Sequence, residues 1–250
     1  MSKTPFLSIE NLTVQYKGND LPSVNNLSLN VNEGDIFGLL GPNGAGKSTT
    51  INTISGLIKP AKGSVIIHEI DIIHHLSAAK QMIGVVGQDI ALYEKLTAFE
   101  NLMFFGSLYN IPKNTLRERI TTLLDRMDLM KHSQKKIKAY SGGMKRRINL
   151  LAGLLHQPQL LILDEPVAGV DVQTRNVIRE FISDLRKQGT TIIYTSHLME
   201  DAERLCDQIG IIDNGELIAD GKPAELVSKY KDCNTLEDVF LKLTGKKLRE

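Results

Sequence analysis

The sequence lacks the paired cysteines and the long apolar runs that mark several large classes of protein. Its two cysteines, Cys206 and Cys233, have no paired spacing, so neither a disulfide framework nor a zinc site is indicated. No apolar run approaches the ~18–20 residues that a transmembrane helix requires. The stretch 1–12 has no long apolar core and is not predicted to be a signal peptide. We expect a soluble, cytoplasmic protein that reaches a membrane only through a partner.

The chain also lacks an excess of charge of either sign. Its 30 basic and 29 acidic residues give a net charge of +1, and this balance argues against nucleic acid as a partner. What is present is an ordinary globular composition, with 42% hydrophobic residues over 250 positions. A chain of this length can bury a substantial core as one large domain, or as one domain with a subdomain.

Apolar patterning predicts strands towards both ends of the chain and helices in the middle. Alternating residues in 6–16 and 23–31 are typical of half-buried antiparallel strands. Helical spacing in 97–109 and 115–127 predicts two helices that Pro112 separates. Continuous apolar runs that predict buried strands are 35–40, 82–88, 160–164 and 190–196, with a further strand pair in 63–72.

A glycine-rich loop with a lysine and a serine follows the strand at 35–40. The stretch "GPNGAGKST" fits G-x-x-x-x-G-K-[ST] and precedes a predicted helix that runs to about Leu57. Glycines let backbone N–H groups approach phosphates, and the helix N-terminus adds partial positive charge. Lys47 is expected to reach the β- and γ-phosphates of ATP, and the Ser48 hydroxyl to ligate Mg²⁺. A solvated glycine-rich turn does not explain this spacing. The expected ATP-binding residues are Gly41, Pro42, Asn43, Gly44, Ala45, Gly46, Lys47, Ser48 and Thr49.

The order of these segments predicts an α/β fold. The amphipathic helix 174–188 lies between two buried strands, which implies parallel pairing through a right-handed crossover. We expect a P-loop NTPase-type, mostly parallel sheet with an N-terminal antiparallel β subdomain and an inserted α-helical subdomain. The predicted parts of this single domain are an ATP-binding core (1–90 and 157–225), a helical subdomain (91–156) and a C-terminal helical tail (226–250).

Two adjacent carboxylates follow the apolar run "LLIL", at the edge of the sheet where the phosphate loop also begins. Asp164 is expected to hold Mg²⁺, and Glu165, alternating to the other side of the strand, to polarise the attacking water. Taken alone, an acidic strand end before a turn at Pro166 is the commoner interpretation. The presence of Lys47 and Ser48 favours the catalytic one.

His197 and Gln88 end two further apolar strands and are candidates for the same crevice. His197 is predicted to contact the γ-phosphate, and Gln88 to orient water or contact the metal ion. Taken singly, a structural histidine and a merely polar strand end remain the alternative interpretations.

These motifs, in this order, resemble those of the ATP-binding cassette (ABC) family over essentially the whole chain. The stretch "YSGGMKRR", at 140–147, resembles the signature motif of that family. The other matching segments are 41–49 (Walker A), 85–89 (Q-loop), 160–166 (Walker B), 168–171 (D-loop) and 195–197 (switch histidine). The resemblance assigns adenine stacking to Tyr16 and a D-loop role to Asp171. It assigns contact with the ATP of another subunit to Ser141, Gly142, Gly143 and Met144.

The resemblance implies a subunit that binds and hydrolyses ATP with Mg²⁺. Two copies are expected to hold two ATP molecules head to tail and to drive a separate membrane permease at the cytoplasmic face of the cell membrane. The tail 234–250 resembles that of ATPase subunits of bacterial exporters of drugs, polysaccharides or lipids. Export is therefore favoured, while an importer subunit and a soluble non-transport ABC ATPase stay open.

The helical insert is expected to carry the permease contact, at Tyr93, Glu94, Leu96 and Phe99. Packing within the insert is an equally good interpretation for Leu96 and Phe99.

The signature departs from the usual L-S-G-G-Q, because Tyr140 replaces leucine and Met144 replaces glutamine. The lost amide predicts a weaker nucleotide contact. Lys145, Arg146 and Arg147 then follow in the first turn of a predicted helix, where the helix macrodipole disfavours cations. We expect these three residues to pair with phosphate or with nearby carboxylates.

Overall fold

Two β-sheets with flanking helices make up the part of the chain that the computed structural model describes, residues 5–245. The strands are β1 (Leu7–Val14), β2 (Val24–Val31), β3 (Ile36–Leu40), β4 (Lys62–Ile67), β5 (Ile70–Asp71), β6 (Ile83–Val86), β7 (Leu160–Asp164), β8 (Thr191–Thr195), β9 (Gln208–Asp213) and β10 (Glu216–Gly221). The helices are α1 (Lys47–Ile54), α2 (Leu76–Met82), α3 (Ala98–Ser107), α4 (Lys113–Arg126), α5 (Gly142–Ala152), α6 (Val172–Lys187), α7 (Met199–Leu205), α8 (Pro223–Lys229) and α9 (Leu236–Thr244). The smaller sheet has the order β2–β1–β4–β5, and the larger has the order β10–β9–β3–β8–β7–β6.

The smaller sheet is antiparallel, as the alternation in the first segments predicts. Strand β1 pairs with β2 on one side and with β4 on the other. Ile9 and Leu12 are both buried although three positions separate them, and strict alternation would put them on opposite faces. The register of β1 shifts between them, beside Asn11 with its φ of 49°. This irregularity returns Leu12 to the core face.

The larger sheet brings the ends of its central strands to one edge. Strand β3 lies between β9 and β8, β7 lies between β8 and β6, and all four pairs are parallel. Ile36–Leu40 is buried throughout, as continuous apolar runs predict for strands covered on both faces. Because parallel strands end at the same edge, the loop after β3 and the carboxylates after β7 lie close together.

Helices α3, α4 and α5 form the insertion between β6 and β7. Thr97 begins α3 with a reciprocal capping box to Glu100. Leu102, Ile120 and Leu151 are fully buried in the same core cluster as residues of the central strands. The predicted α/β fold with an antiparallel subdomain and a helical insertion is confirmed. The predicted boundaries at 91 and 156 stay a prediction, since the core is continuous across them.

The chain after β8 contains elements that the sequence did not reveal individually. Strands β9 and β10 form an antiparallel pair at the edge of the larger sheet, and α9 buries Leu236, Val239 and Phe240 completely. Of the predicted tail 226–250, residues 246–250 lie outside the described residues, as do residues 1–4 of the stretch examined for a signal peptide. Between residues 5 and 245, no helix combines the length and the apolar character needed to cross a membrane.

Candidate active site

The loop between β3 and α1 has a backbone that only glycine fits at several points. Gly44 and Gly46 have φ angles of 82° and 105°, in the left-handed region. A Cβ on Gly41 would lie 2.4 Å from the carbonyl oxygen of Ile212, and one on Gly46 would lie 2.5 Å from that of Ser23. The backbone conformation therefore favours glycine at 44 and 46, and the packing of the loop requires it at 41 and 46, whatever binds to the loop.

Helix α1 starts directly after this loop, and its N-cap residue has no side chain with which to cap the first N–H groups. Such an end is a binding site for an anion. Lys47 is buried, and its Nζ donates to the carbonyl oxygens of Gly41 and Pro42 at 2.6 and 3.0 Å. Burial lowers the pKa of Lys47, while the carboxylates of Glu165 and Asp164 act in the opposite direction. The lysine thus contacts the loop, and the two carboxylates favour its charged form.

A cavity of about 540 Å³ opens beside this loop. Its lining consists of Ser23, Asn43, Gly44, Gly46, Lys47, Ser48, Thr49, Gln88, Glu165 and His197. The structure therefore brings together the predicted lysine, serine, glutamine, glutamate and histidine. Gly41, Pro42 and Ala45 of the predicted set are buried in the loop and do not line the cavity. The hydroxyl of Tyr16 lies 3.2 Å from Oγ1 of Thr49, so Tyr16 lies at the first turn of α1.

Glu165 is held by side chains that follow the ends of two other strands, β6 and β8. His197 Nε2 lies 2.5 Å from Glu165 Oε1, and Gln88 Nε2 donates to Glu165 Oε2 at 3.2 Å. The sequence predicted that alternation along the strand sets the direction of the Glu165 side chain. This prediction is wrong, because strand β7 ends at Asp164 and Glu165 has a φ of 50°. A left-handed turn of the backbone, and not strand alternation, aims this carboxylate.

Thr195 links the two carboxylate residues, and this role was missed in the sequence. Its Oγ1 donates to Asp164 Oδ1 at 2.6 Å and accepts a hydrogen bond from the Glu165 N–H at 3.0 Å. Thr195 is fully buried and stands opposite Asp164 in the parallel register of β7 and β8. A threonine that ends the neighbouring strand was the available signal, but only the register shows that it faces Asp164.

The signature residues lie outside the cavity of their own chain. Ser141 is the N-cap of α5 and accepts from the Met144 N–H at 3.3 Å, whereas Met144 packs partly buried against the core. Ser141 and Gly142 are exposed, and a Cβ on Gly142 would meet no atom within 4 Å in residues 5–245. A Cβ on Gly143 would lie 2.7 Å from Thr174 Oγ1. The two glycines therefore differ: Gly143 packs within the chain, and Gly142 faces outward.

The D-loop aspartate caps the helix against which Gly143 packs. Asp171 is the N-cap of α6 and accepts from the Thr174 N–H at 2.9 Å and from Thr174 Oγ1 at 2.8 Å. These hydrogen bonds hold the pKa of Asp171 below its ordinary value. The signature helix and the D-loop are thus in contact through Thr174.

The cations after the signature do not all find the expected anionic partners. Lys145 Nζ pairs with Glu94 Oε1 at 2.7 Å, as expected. Arg146 instead donates to the carbonyl oxygens of Gly87 and Gln88, and Arg147 to that of Met127. Within residues 5–245, the hydrogen-bond partners of the two arginines are therefore not the expected carboxylates but backbone carbonyls, which carry enough partial negative charge to pair with them.

Comparison with known proteins places this geometry in a family. The family model described as "ABC transporter" matches residues 24–168. The chain is 48% identical over 223 residues to the linearmycin resistance ATP-binding protein LnrL of Bacillus subtilis (strain 168), covering 89% of this chain and 71% of the relative. It is 40% identical over 237 residues to the Nod factor export ATP-binding protein I of Ralstonia nicotianae, covering 95% and 73%.

Solved structures agree with the fold and the chemistry. An ATP-binding subunit of an ABC transporter superposes with a TM-score of 0.86 at 26% identity, covering 95% of this chain and 99% of that one. A dimeric ATP-binding cassette in a post-hydrolysis state, bound to ADP and Pi, gives 0.78 at 27% identity, covering 86% and 98%. With the loop, cavity and carboxylates described above, these findings show that the chain belongs to the ABC transporter family. It is an ATP-binding, ATP-hydrolysing subunit of a transporter of this family.

Proposed function

We propose that this chain is one half of a homodimeric, Mg²⁺-dependent ATPase that drives a membrane permease for export. The observation that carries the proposal is the division of its motifs between two surfaces. Lys47, Glu165 and His197 face one cavity, whereas Ser141 and Gly142 stand exposed outside it. A site that needs both sets is completed by a second copy, which presents its signature motif to the ATP of the first.

The loop and its neighbours fit a nucleoside triphosphate with its metal ion. The glycine backbone of the loop and the uncapped start of α1 suit phosphate oxygens. Ser48, Asp164 and Gln88 would hold Mg²⁺, because hydroxyl, carboxylate and amide oxygens are the ligands that this ion prefers. When bound, Mg²⁺ neutralises charge on the phosphate oxygens. Tyr16, beside Thr49, is suited to stack on the adenine.

Glu165 serves in this proposal as the base for the attacking water. The water oxygen forms a bond to the γ-phosphorus, its proton passes to Glu165, and ADP leaves with the electron pair of the broken P–O bond. His197 and Gln88 each contact one oxygen of Glu165 and so fix the direction of the carboxylate. Lys47 stabilises the charge on the transferred phosphoryl group.

The backbone at Glu165 is strained, and Thr195 stabilises it. A left-handed conformation in a non-glycine residue costs about 1–3 kcal/mol and persists only where the surroundings hold it. The Thr195 hydroxyl accepts the Glu165 N–H and donates to Asp164. One buried hydroxyl therefore positions both the proposed metal ligand and the proposed base.

An apolar groove supports the proposal of a permease partner. It has a volume of about 550 Å³ and lies between the end of α1, strand β6 and the insertion. Leu57 and Leu108 in its lining are 70% and 62% exposed, and exposed apolar patches of this kind mark protein interaction sites. The backbone at Gly87 and Asp89, on either side of Gln88, forms part of its wall. A permease segment in this groove would contact the backbone on either side of Gln88, so that a movement of Gln88 would change this contact.

The four residues first predicted to contact the permease separate into two kinds. Tyr93 and Glu94 are exposed, and Tyr93 stacks edge-on against Phe104 near the groove. Leu96 is half-buried and Phe99 packs against the core of the insertion. We therefore keep Tyr93 and Glu94 as contact candidates and give Phe99 a packing role.

The names of the relatives support the direction of transport. They describe resistance and export proteins. An export subunit of this family works at the cytoplasmic face of the cell membrane, held there by the permease.

Glu165→Gln is expected to lower kcat by about 10²-fold or more, because an amide cannot accept the proton of the water. ATP binding should remain, since the phosphate loop is untouched, and the ATP-bound dimer should accumulate. Turnover measured by phosphate release and mass measured by light scattering check both results. Glu237→Gln, an exposed glutamate on α9, is the matched control. If Glu165→Gln hydrolyses ATP at the parental rate, Glu165 is not the base that accepts the proton of the attacking water.

Thr195→Val is expected to lower both stability and turnover. It leaves the buried Glu165 N–H without its acceptor, at a cost of about 1–3 kcal/mol in the free energy of unfolding. Thr195→Ser keeps the hydroxyl and should retain most of the turnover. Urea unfolding and phosphate release, at a temperature where every variant is folded, measure the two effects. Equal kcat values for Thr195→Val and Thr195→Ser would show that the hydroxyl does not position the carboxylates.

Gly142→Phe is expected to block dimerisation while the monomer still binds ATP. A Cβ on Gly142 meets no atom within 4 Å among residues 5–245, so the substitution starts into open space, but the ring would collide with a nucleotide held by a second copy. In the Glu165→Gln background, light scattering with ATP should show dimers, and adding Gly142→Phe should return the protein to monomers. Dimers that persist in the double variant, with ATP bound, would refute completion of the site by a second signature.

Leu57→Asp combined with Leu108→Asp is expected to release the protein from the membrane fraction of its cells. Charged side chains make docking of an apolar segment unfavourable. Leu21→Asp is the matched control, because Leu21 is 79% exposed in the loop between β1 and β2, outside the groove. Fractionation followed by immunoblotting, with ATP binding of the purified variants as a folding check, gives the answer. A double variant that sediments with membranes like the parent would exclude the groove as the docking site.

A further inference from the structure

The first two turns of helix α5 carry three consecutive cations, close to the end where the macrodipole is unfavourable to them. Acidic residues are absent from the first turn, so no side chain there compensates the charge. Lys145 reaches Glu94, and Arg146 reaches the carbonyl oxygens of Gly87 and Gln88. One turn further along, Asn149 Oδ1 accepts from the Ala91 N–H at 3.2 Å.

These contacts fasten one irregular stretch of chain to the helix. We call Gly87–Glu94 the Q segment; it contains no helix or strand and connects β6 to the insertion. Three side chains of α5 attach to the Q segment: Arg146 near its start, Asn149 in its middle and Lys145 at its end. A segment without its own ladder of hydrogen bonds takes its position from such attachments. The Q segment is therefore attached to α5 along its length, while its end is also held by Asn101 of α3, which accepts from the Tyr93 N–H at 2.8 Å.

Arg146 is the attachment nearest to the site. Its side chain is only 6% exposed, and its Nη1 donates to Gln88 O at 2.7 Å and to Gly87 O at 3.3 Å. Burying a guanidinium is unfavourable unless it is paired and hydrogen-bonded. Burial lowers the pKa of Arg146, and the nearby charges of Glu165, Asp89 and Asp164 oppose that effect. The field of the carboxylates thus helps to keep the cation at the start of the Q segment.

Gln88 continues the chain of contacts to the reacting groups. Its backbone carbonyl accepts from Arg146, and its side-chain Nε2 donates to Glu165 Oε2 at 3.2 Å. At the same end of α5, Ser141 and Gly142 stand exposed. The end of the helix that faces outward is therefore connected to Glu165 through two hydrogen bonds.

We propose that Arg146 is a positioning residue that makes Gln88 follow the signature helix, so that contact of Ser141 and Gly142 with a second copy orients Glu165 in the first. The inference rests on the dimer proposed above. It assigns to Arg146 a role in turnover, and none in nucleotide binding or in dimerisation itself.

Arg146→Ala is expected to lower kcat by about tenfold or more, as displacement of a positioned catalytic group does, with the Kd for ATP within about threefold of the parent. In the Glu165→Gln background, Arg146→Ala should still give ATP-bound dimers by light scattering. Arg146→Lys, which can donate one hydrogen bond to Gln88 O, should recover part of the lost kcat. Arg147→Ala is the matched control, because Arg147 lies in the same turn and donates to Met127 O, away from the Q segment. Its kcat should stay within about threefold of the parent.

A double-mutant cycle with Gln88→Ala separates positioning from loss of fold. If Arg146 acts through Gln88, the double variant should be no slower than Gln88→Ala alone. Additive losses, a parental kcat in Arg146→Ala, or an equal loss in Arg147→Ala at matched thermal stability would each overturn the inference. Parental kcat in Gln88→Ala would overturn it as well, since the positioned group would then have no role. The Glu165→Gln result decides separately whether the proposed function stands.

Discussion

The parallel register between β7 and β8 decides where the reactive groups of this protein lie. It sets Thr195 opposite Asp164, so that one hydroxyl donates to the carboxylate and accepts the N–H of the next residue. A slip of one position would turn every side chain of the strand to the other face and separate this pair. The register is secured by burial, since Leu160–Leu163 and Ile192–Tyr194 are buried on both faces of the sheet. The hydrophobic core and the chemistry therefore depend on the same alignment.

The sequence predicts the parts of the site whose residue types have a single physical explanation. The loop with Gly44, Gly46 and Lys47 is one such part, because a left-handed backbone and a phosphate-binding loop both favour glycine at positions 44 and 46. The buried strands are another, since continuous apolar runs of that length fit few other places. Strand ends then bring the predicted residues to one edge, and Gln88, Glu165 and His197 do line one cavity.

The parts that escaped prediction depend on backbone geometry or on partners distant in the chain. The φ of 50° at Glu165 has no local signal, because glutamate rarely adopts it and the Thr195 hydroxyl that accepts its N–H comes from a distant strand. The partners of Arg146 and Arg147 are carbonyl groups, which every residue carries and which no sequence pattern marks. Met144 illustrates the opposite case: it lies four residues before the buried Ile148, a spacing typical of a core-facing helix side, and it packs partly buried against the core.

Docking of a permease in the groove beside the insertion, as proposed, would have a consequence for how cells make this protein. Leu57 and Leu108 are open to water in the subunit alone, and exposed apolar patches promote association with other chains. Copies synthesised in excess would be drawn into aggregates or removed by proteolysis. Balanced synthesis of the ATPase and the permease would then be a requirement of solubility as much as of transport, and that balance would limit how strongly either gene can be expressed alone.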